Sequence, residues 1–244
     1  MVVHSSNGTS SRLTSSTAKP VVSFIIPSTL SRDTLNHTIM SLQSQLEFNW
    51  EALIGVDIKK APKYNTPDLI QKRQLHFIQD KRLHWIPIDV SSNNRGKFGN
   101  GSGDVRNAII RHASADWVAF VDDDDLLSPM YTTLLLEGRQ LHQEMGIYLF
   151  RMMGNKILPP YSHGLVASGN NVGISFAVRK DIFVHGNQSI GFDPGSMEDY
   201  YFLRKAQDHN VTIKLSCNVT YFVRQPPKLV KPSDSCRVGD AIIK

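Results

Sequence analysis

Two hydrophobic patterns alternate along the chain. Short apolar runs without a breaker read as strands buried on both faces of a parallel sheet, and between them apolar residues recur every three or four positions, as in amphipathic helices. Val21 to Pro27 (VVSFIIP) predicts a first strand, stopped by Pro27 and followed by a polar loop through Ser28, Thr29 and Arg32. From Asp33, the residues Leu35, Ile39, Leu42 and Leu46 mark one face of a helix entered from Ser31, and Trp50 to Val56 predicts the second strand. So close a succession is a βαβ unit with parallel strands and a right-handed crossover. Lys59 to Arg82 reads as loop with one short helix around Pro67 to Arg73, and Leu83 to Val90 as a third strand.

The second half continues the alternation. A glycine- and asparagine-rich loop, Ser91 to Gly103, precedes a helix capped by Asp104, with Val105, Ala108 and Ile109 inward. Trp117 to Val121 predicts a strand, and Pro129 to Met145 a helix with Leu134, Leu135, Leu141 and Met145 inward, ended by Gly146. Ile147 to Met153, Val172 to Val178, Val211 to Leu215 and Val219 to Val223 predict further strands. Met197 to His209, after a turn at Gly191 to Ser196, predicts a helix with Asn210 as C-cap. The class is α/β, organised as a Ser/Thr-rich leader over residues 1–19, one domain over 20–226 and a tail over 227–244.

Trp117 to Pro129 carries the strongest chemical signal, because a buried strand breaks there into Asp122, Asp123, Asp124 and Asp125. Open parallel sheets bind ligands at the carboxyl ends of their strands, and adjacent carboxylates repel one another by a few kcal/mol unless a partner neutralises them. A hard divalent ion with positions left for substrate phosphates is the natural partner. The alternative is a solvated loop that only caps the next helix through Ser128 and Pro129. Asp57, at the end of the second strand, could accept hydrogen bonds from a nucleobase or ribose, or cap the following turn. Arg95 and Lys97 make the glycine-rich loop basic without matching a phosphate-binding spacing, and His163 could ligate a metal or hydrogen-bond within its own loop. Glu198 and Asp199 open a helix, where the macrodipole favours acidic residues and holds a carboxylate low in pKa.

Composition narrows the field. The net charge of +5 and pI near 9.2 favour anionic ligands, but no basic run interleaved with aromatics points to nucleic acid. No apolar run reaches the ~20 residues of a membrane span, so membrane contact would be peripheral. The start has no apolar core of a signal peptide, and two cysteines, Cys217 and Cys236, allow one disulfide while fitting a reducing compartment and a cytoplasmic location. Six N-x-Ser/Thr sequons, beginning at Asn7, Asn36, Asn100, Asn187, Asn210 and Asn218, point weakly the other way.

Taken in order, SFIIPS in the first strand, the pair Arg106 and Asn107, the aspartate run with Pro129, and GFDPGSMED with Glu198 and Asp199 resemble one family. The chain is similar, from about Val21 to Arg224, to inverting nucleotide-sugar glycosyltransferases of family two. The resemblance implies a GT-A fold, a Rossmann-like, mixed, mainly parallel sheet flanked by helices. It implies a nucleoside-diphosphate sugar, a UDP-sugar, as donor, Mn²⁺ or Mg²⁺ as cofactor, and a glycan or glycoconjugate as acceptor. It places the donor at Pro27, Ser28, Thr29, Arg32, Asp57, Arg106, Asp122 and Asp123, with Asp57 on the base and Asp122 and Asp123 near ribose and metal. Asp124, with Asp122, would hold the metal, and Asp199 beside Glu198 would be the catalytic base. Thr29 and Leu30 stand where the family often has an aromatic-Asn pair, and the Q-x-x-R-W pattern of processive synthases is absent, which implies a soluble enzyme adding single sugars. No late histidine matches the third metal ligand of some GT-A enzymes, which leaves that position to water. A sugar nucleotidyltransferase would need a glycine-rich loop after the first strand, where Pro27 to Arg32 has no glycine, and a non-catalytic carbohydrate-binding module would not need the aspartate run.

Overall fold

A computed structural model describes residues 18–58, 68, 71, 76–77, 79–89, 101–159, 171–184, 190–193, 195 and 197–224, and the backbone of 241–243. The first two apolar runs form β1 (Val22–Ser28) and β2 (Trp50–Asp57), buried at every position. They are parallel and in register from Val22 opposite Trp50 to Ser28 opposite Val56. β3 (Leu83–Ile88) lies parallel beside β2, and β4 (Trp117–Phe120) lies parallel on the other side of β1. Beyond β4 the sheet turns mixed: β8 (Phe176–Arg179) runs antiparallel to both β4 and β6 (Ile147–Met153), and β9 (Ile213–Val223) is parallel to β6. With β10 (Ala241–Ile243) the order is β10–β9–β6–β8–β4–β1–β2–β3. Two short strands lie off this path, β5 (Asp125–Leu127) on β9 and β7 (Ile157–Leu158) on β6.

Polar residues inside these runs are there to join elements. Ser23, fully buried in β1, donates to Glu51 Oε1 of β2 at 2.5 Å, and the same oxygen accepts Ser114 N at 2.6 Å and Ser114 Oγ at 2.8 Å. That knot ties the turn before β4 to β1 and β2 and leaves no donor orphaned. Helix α1 (Thr34–Gln43) uses its polar side in the same way. Thr38 Oγ1 donates to Asp125 O at 2.8 Å, Ser41 Oγ accepts Leu127 N at 3.2 Å, and Gln45, just past the helix, accepts Thr132 N at 3.0 Å.

This clamp explains the first departure from the sequence pattern. The last aspartate and the two residues after it form β5, with Asp125 opposite Val223 and Leu127 opposite Tyr221, and the N-cap of the next helix is Met130 instead of Ser128. Helix α3 (Tyr131–Leu141) begins later and ends earlier than the run of leucines predicts. Its buried face is Tyr131, Leu135 and Gly138, and Leu141 is 75% exposed. Gly138 sets that face, because a Cβ there would stand 2.6 Å from the Tyr148 ring. The predicted break between Val211–Leu215 and Val219–Val223 is likewise absent: β9 is continuous, and register shifts against β6 between Leu149 and Met152 absorb the irregularity. Leu46 lies beyond α1 and is 57% exposed. Helix α2 (Ser102–Ile110) is capped by Gly101 at φ 69, a left-handed position that suits glycine, and Asp104 sits in its first turn instead of at the cap.

Cys217 is disulfide-bonded, and Cys236 lies outside the described residues. Among the described residues no helix is long and apolar enough to cross a membrane. The short helix around 67–73, apart from residues 68 and 71, and Arg95, Lys97 and His163 lie outside the described residues.

Gly55 of β2 tests the packing of α2 on the sheet. A Cβ there would lie 2.7 Å from Val105 Cγ1 and 2.9 Å from Ile109 Cγ2, both buried. Gly55→Ala should therefore destabilise by ~1–3 kcal/mol in spite of alanine's better backbone propensity. Urea unfolding reads this, and an unchanged midpoint at unchanged slope would show that α2 yields freely.

Candidate active site

Three parallel strands end on one side of the sheet and bring separate segments together there. A cleft of about 280 Å³ is lined by Pro27 and Ser28 at the end of β1, by Thr29 and Arg32 after it, by Asp57 of β2, and by Asp122, Asp123 and Asp124 after β4. Gly101, Ser102 and Val105 of α2 line it too, and so does Arg224 at the end of β9. Every residue expected at the donor is on this wall except Arg106, which lies behind it at 1% exposure.

Each aspartate has a different partner. Asp122 accepts from Arg106 Nη2, and its own N–H donates to Tyr221 Oη at 3.1 Å. Asp123 accepts from Ser28 Oγ at 2.7 Å, and burial raises its pKa. The same Ser28 Oγ accepts Leu30 N at 3.0 Å, which holds Leu30 at φ 58 with its side chain in the core. Asp124 accepts from Arg32 Nη1 and from Arg224 Nε at 2.8 Å. Asp125 is 3% exposed; its oxygens accept from Tyr221 Oη at 2.9 Å and Arg224 N at 3.0 Å, and burial, then Asp122, pushes its pKa up to about 7.

Carboxylate oxygens of Asp122, Asp124 and Asp125 all lie within 4.8 Å of one another. An all-carboxylate donor set with a cleft in front suits a hard divalent cation, so the residues fit Mn²⁺ or Mg²⁺. The third position, which the sequence reading leaves to water, has a carboxylate within reach in Asp125. From sequence Asp125 has no role of its own assigned, and Tyr221 and Arg224 are not singled out at all. The signal for Asp125 was present in the aspartate run, whereas Tyr221 and Arg224 acquire meaning only through the pairing of β9 with β5.

Behind the cleft, Arg106 joins two acidic groups. Its guanidinium donates to Asp122 and to Glu198 Oε1 at the start of α5 (Glu198–Asp208), which follows the one-turn α4 (Asp181–Val184) and whose N-cap, Met197, stands at φ 62. Glu198 is also held by the backbone N–H of Gly103, where a Cβ would stand 2.6 Å from Glu198 Oε2. Asn107 completes the joint: it accepts Phe192 N and donates to Phe192 O, both at 2.9 Å, while the Phe192 ring sits 4.7 Å from Phe202 and 4.9 Å from Phe120. The Gly-Phe-Asp turn is thus an anchor for α5, with Asp193 paired to Lys205. Asp199 does not have the low pKa expected of a helix start. Burial, opposed by Arg106 and reinforced by Asp122 and Glu198, pushes it up to about 7. Neither Glu198 nor Asp199 is among the described residues lining the cleft.

Comparison with known proteins places this arrangement. The model of the glycosyl transferase family 2 matches residues 23–197. A putative teichuronic acid biosynthesis glycosyltransferase of Bacillus subtilis (strain 168) is 31% identical over 107 residues, 44% of this chain and 37% of that protein. The chain therefore spans little more than a third of that relative's length. The crystal structure of residues 1–349 of S. aureus TarS superposes with a TM-score of 0.63 at 20% identity, covering 83% of this chain and 60% of that one. Glucosyl-3-phosphoglycerate synthase of Mycobacterium tuberculosis, solved with Mn²⁺, UDP and glucosyl-3-phosphoglycerate, superposes with a TM-score of 0.58 at 14% identity, covering 86% of this chain and 74% of that one. The fold is that of the GT-A glycosyltransferases.

Removing the buried cation tests the joint. Arg106→Met leaves Asp122 and Glu198 facing each other without it, and should cost roughly 3 kcal/mol, the low end for breaking a buried pair because Asp122 is partly exposed. Arg106→Met combined with Glu198→Gln should recover part of that loss. Urea unfolding of both variants measures it, and a double variant no more stable than the single would place the cost elsewhere.

Proposed function

Because the chain belongs to the glycosyl transferase family 2, we propose that it moves a sugar from a nucleoside-diphosphate sugar, a UDP-sugar, to a hydroxyl of a glycan or glycoconjugate, with inversion and with a divalent cation. The observation that carries this reading is the cluster of Asp122, Asp124 and Asp125 oxygens beside a cleft walled by the ends of β1 and β2. S. aureus TarS has been crystallised with UDP-GlcNAc, and the mycobacterial synthase with Mn²⁺ and UDP, which supports the donor class and the ion.

In this reading Asp57, buried at the end of β2, accepts an N–H of the base, and Pro27 to Thr29 hold the nucleoside against β1. Asp123, set by Ser28, faces the ribose. Asp124 and Asp122, with Asp125 in reach, would hold the cation, which when bound would supply positive charge for the departing diphosphate. Asp199 takes the proton of the acceptor hydroxyl as that oxygen bonds to the anomeric carbon and the bond to the diphosphate breaks on the opposite face. A carboxyl pushed up to about 7 by burial suits a base better than an ordinary carboxylate does, since it accepts a proton more readily and is still about half ionised at neutral pH. Glu198, fixed by Arg106 and Gly103, orients the first turn of α5 and leaves the proton to its neighbour.

Two measurements test the reading. Calorimetry should show UDP binding with Mn²⁺ and none in EDTA, and Asp124→Ala should abolish it; equal affinity in EDTA refutes the metal. Asp199→Asn should keep UDP affinity and lose ~10²-fold or more in turnover. Asp199 acts as the carboxylate, so wild-type activity should be low below its pKa of about 7 and rise with pH through it. Wild-type turnover in Asp199→Asn, or failure of Glu198→Gln instead, would move the base elsewhere.

A further inference from the structure

Of the described residues that line the cleft, Asp57, Asp122, Asp123 and Asp124 are acidic, and Arg32 and Arg224 are basic. A diphosphate entering there meets the field of the carboxylates, so its binding depends on where the two guanidinium groups point. Both point at one oxygen, Asp124 Oδ2. The Asp124 side chain is only 10% exposed, whereas those of Arg32 and Arg224 are 50% and 68% exposed. The carboxylate is the fixed partner and the arginines are the ones with room to swing. Arg224 is anchored independently of its side chain, because its backbone N–H donates to Asp125 Oδ1 at 3.0 Å.

We propose that Arg224, together with Arg32, is a charge clamp that exchanges Asp124 for the donor's diphosphate. Without ligand the two guanidiniums neutralise Asp124 in the place a cation would take. Once Asp124 engages a divalent cation, they lose that partner and close on the diphosphate, whose oxygens match the planar donor fork of arginine. The inference rests on the nucleotide-sugar reading above, and adds to it a residue outside the matched segment, which ends at 197. It also predicts effects of opposite sign, since Arg224 competes with the cation and assists the nucleotide.

The test uses Mn²⁺ alone, followed by paramagnetic resonance of the free ion, and UDP at saturating Mn²⁺, followed by calorimetry. Arg224→Ala should bind Mn²⁺ about 3-fold more tightly, as expected for removing an exposed competing ion pair. It should bind UDP about 10-fold or more weakly, as expected for losing a charge-assisted hydrogen bond. Adding Arg32→Ala should enlarge both shifts. Arg204→Ala removes the same charge from the surface pair with Asp208 and should move neither. A Mn²⁺ affinity that fails to rise in Arg224→Ala, or shifts of equal size in Arg204→Ala, overturns the exchange. UDP bound equally by wild type and Arg224→Ala overturns the clamp alone, and a wild-type protein that binds no UDP at any Mn²⁺ concentration overturns the nucleotide-sugar reading with it.

Discussion

Four adjacent carboxylates can share one loop only if each is turned to a different partner, and much of the structure around β4 follows from that constraint. Asp122 is turned to a buried arginine, Asp123 to a serine of β1, Asp124 to two arginines at the cleft and Asp125 to a tyrosine of β9. These partners come from α2, from β1 and its loop, and from β9, so the order of the sheet and the charges of the site are set together. The link through β5 is what makes this workable. By pairing with β9 and accepting the polar groups of α1, it fixes the direction in which the chain leaves the aspartates.

The parts legible in the sequence are those in which local pattern and final environment agree. β1, β2 and β4 are buried on both faces, and a continuous apolar run is the mark of that environment. Asp57 and the aspartates could be placed at strand ends for the same reason. What escaped the pattern depends on partners distant in sequence. Asp125 and Val223 meet across the sheet, and nothing near either residue announces it. Gly138 lets α3 approach Tyr148 because it lacks a side chain, and a reading that follows leucines finds Leu135 but misses Gly138 and takes the exposed Leu141 for core. Arg224 falls where the hydrophobic pattern fades toward Pro226 and Pro227, and only the fold returns it to the cleft.

The pKa of Asp199 shows two general effects in direct opposition. A carboxylate in the first turn of a helix gains from the macrodipole, by up to about 2 kcal/mol in the most favourable partly buried cases. Burial beside Asp122 and Glu198 works against ionisation, and here it wins even with Arg106 close by. The helix start explains why an acidic pair is tolerated at that position, and the burial explains why Asp199 binds a proton more readily than an ordinary carboxylate. Arg106 serves both ends, since the guanidinium that holds Glu198 also neutralises Asp122.

Backbone strain is distributed in the same way. Among the described residues four non-glycine positions have positive φ: Leu30, Met197, Asn210 and Arg224. Asn210 follows the end of α5, where asparagine commonly takes that conformation. The other three have no such excuse, and a left-handed conformation costs an ordinary side chain about 1–2 kcal/mol. Each of them borders the site. Leu30 follows the strand end that carries Ser28, Met197 precedes the turn that carries Glu198 and Asp199, and Arg224 follows the strand that carries Tyr221. At Leu30 the strain is offset by a buried side chain and the hydrogen bond to Ser28, and at Arg224 by the bond from its N–H to Asp125. The rest of the fold holds these three residues in a conformation their own backbones disfavour, and the aspartates, the first turn of α5 and the arginine at the cleft take their directions from it.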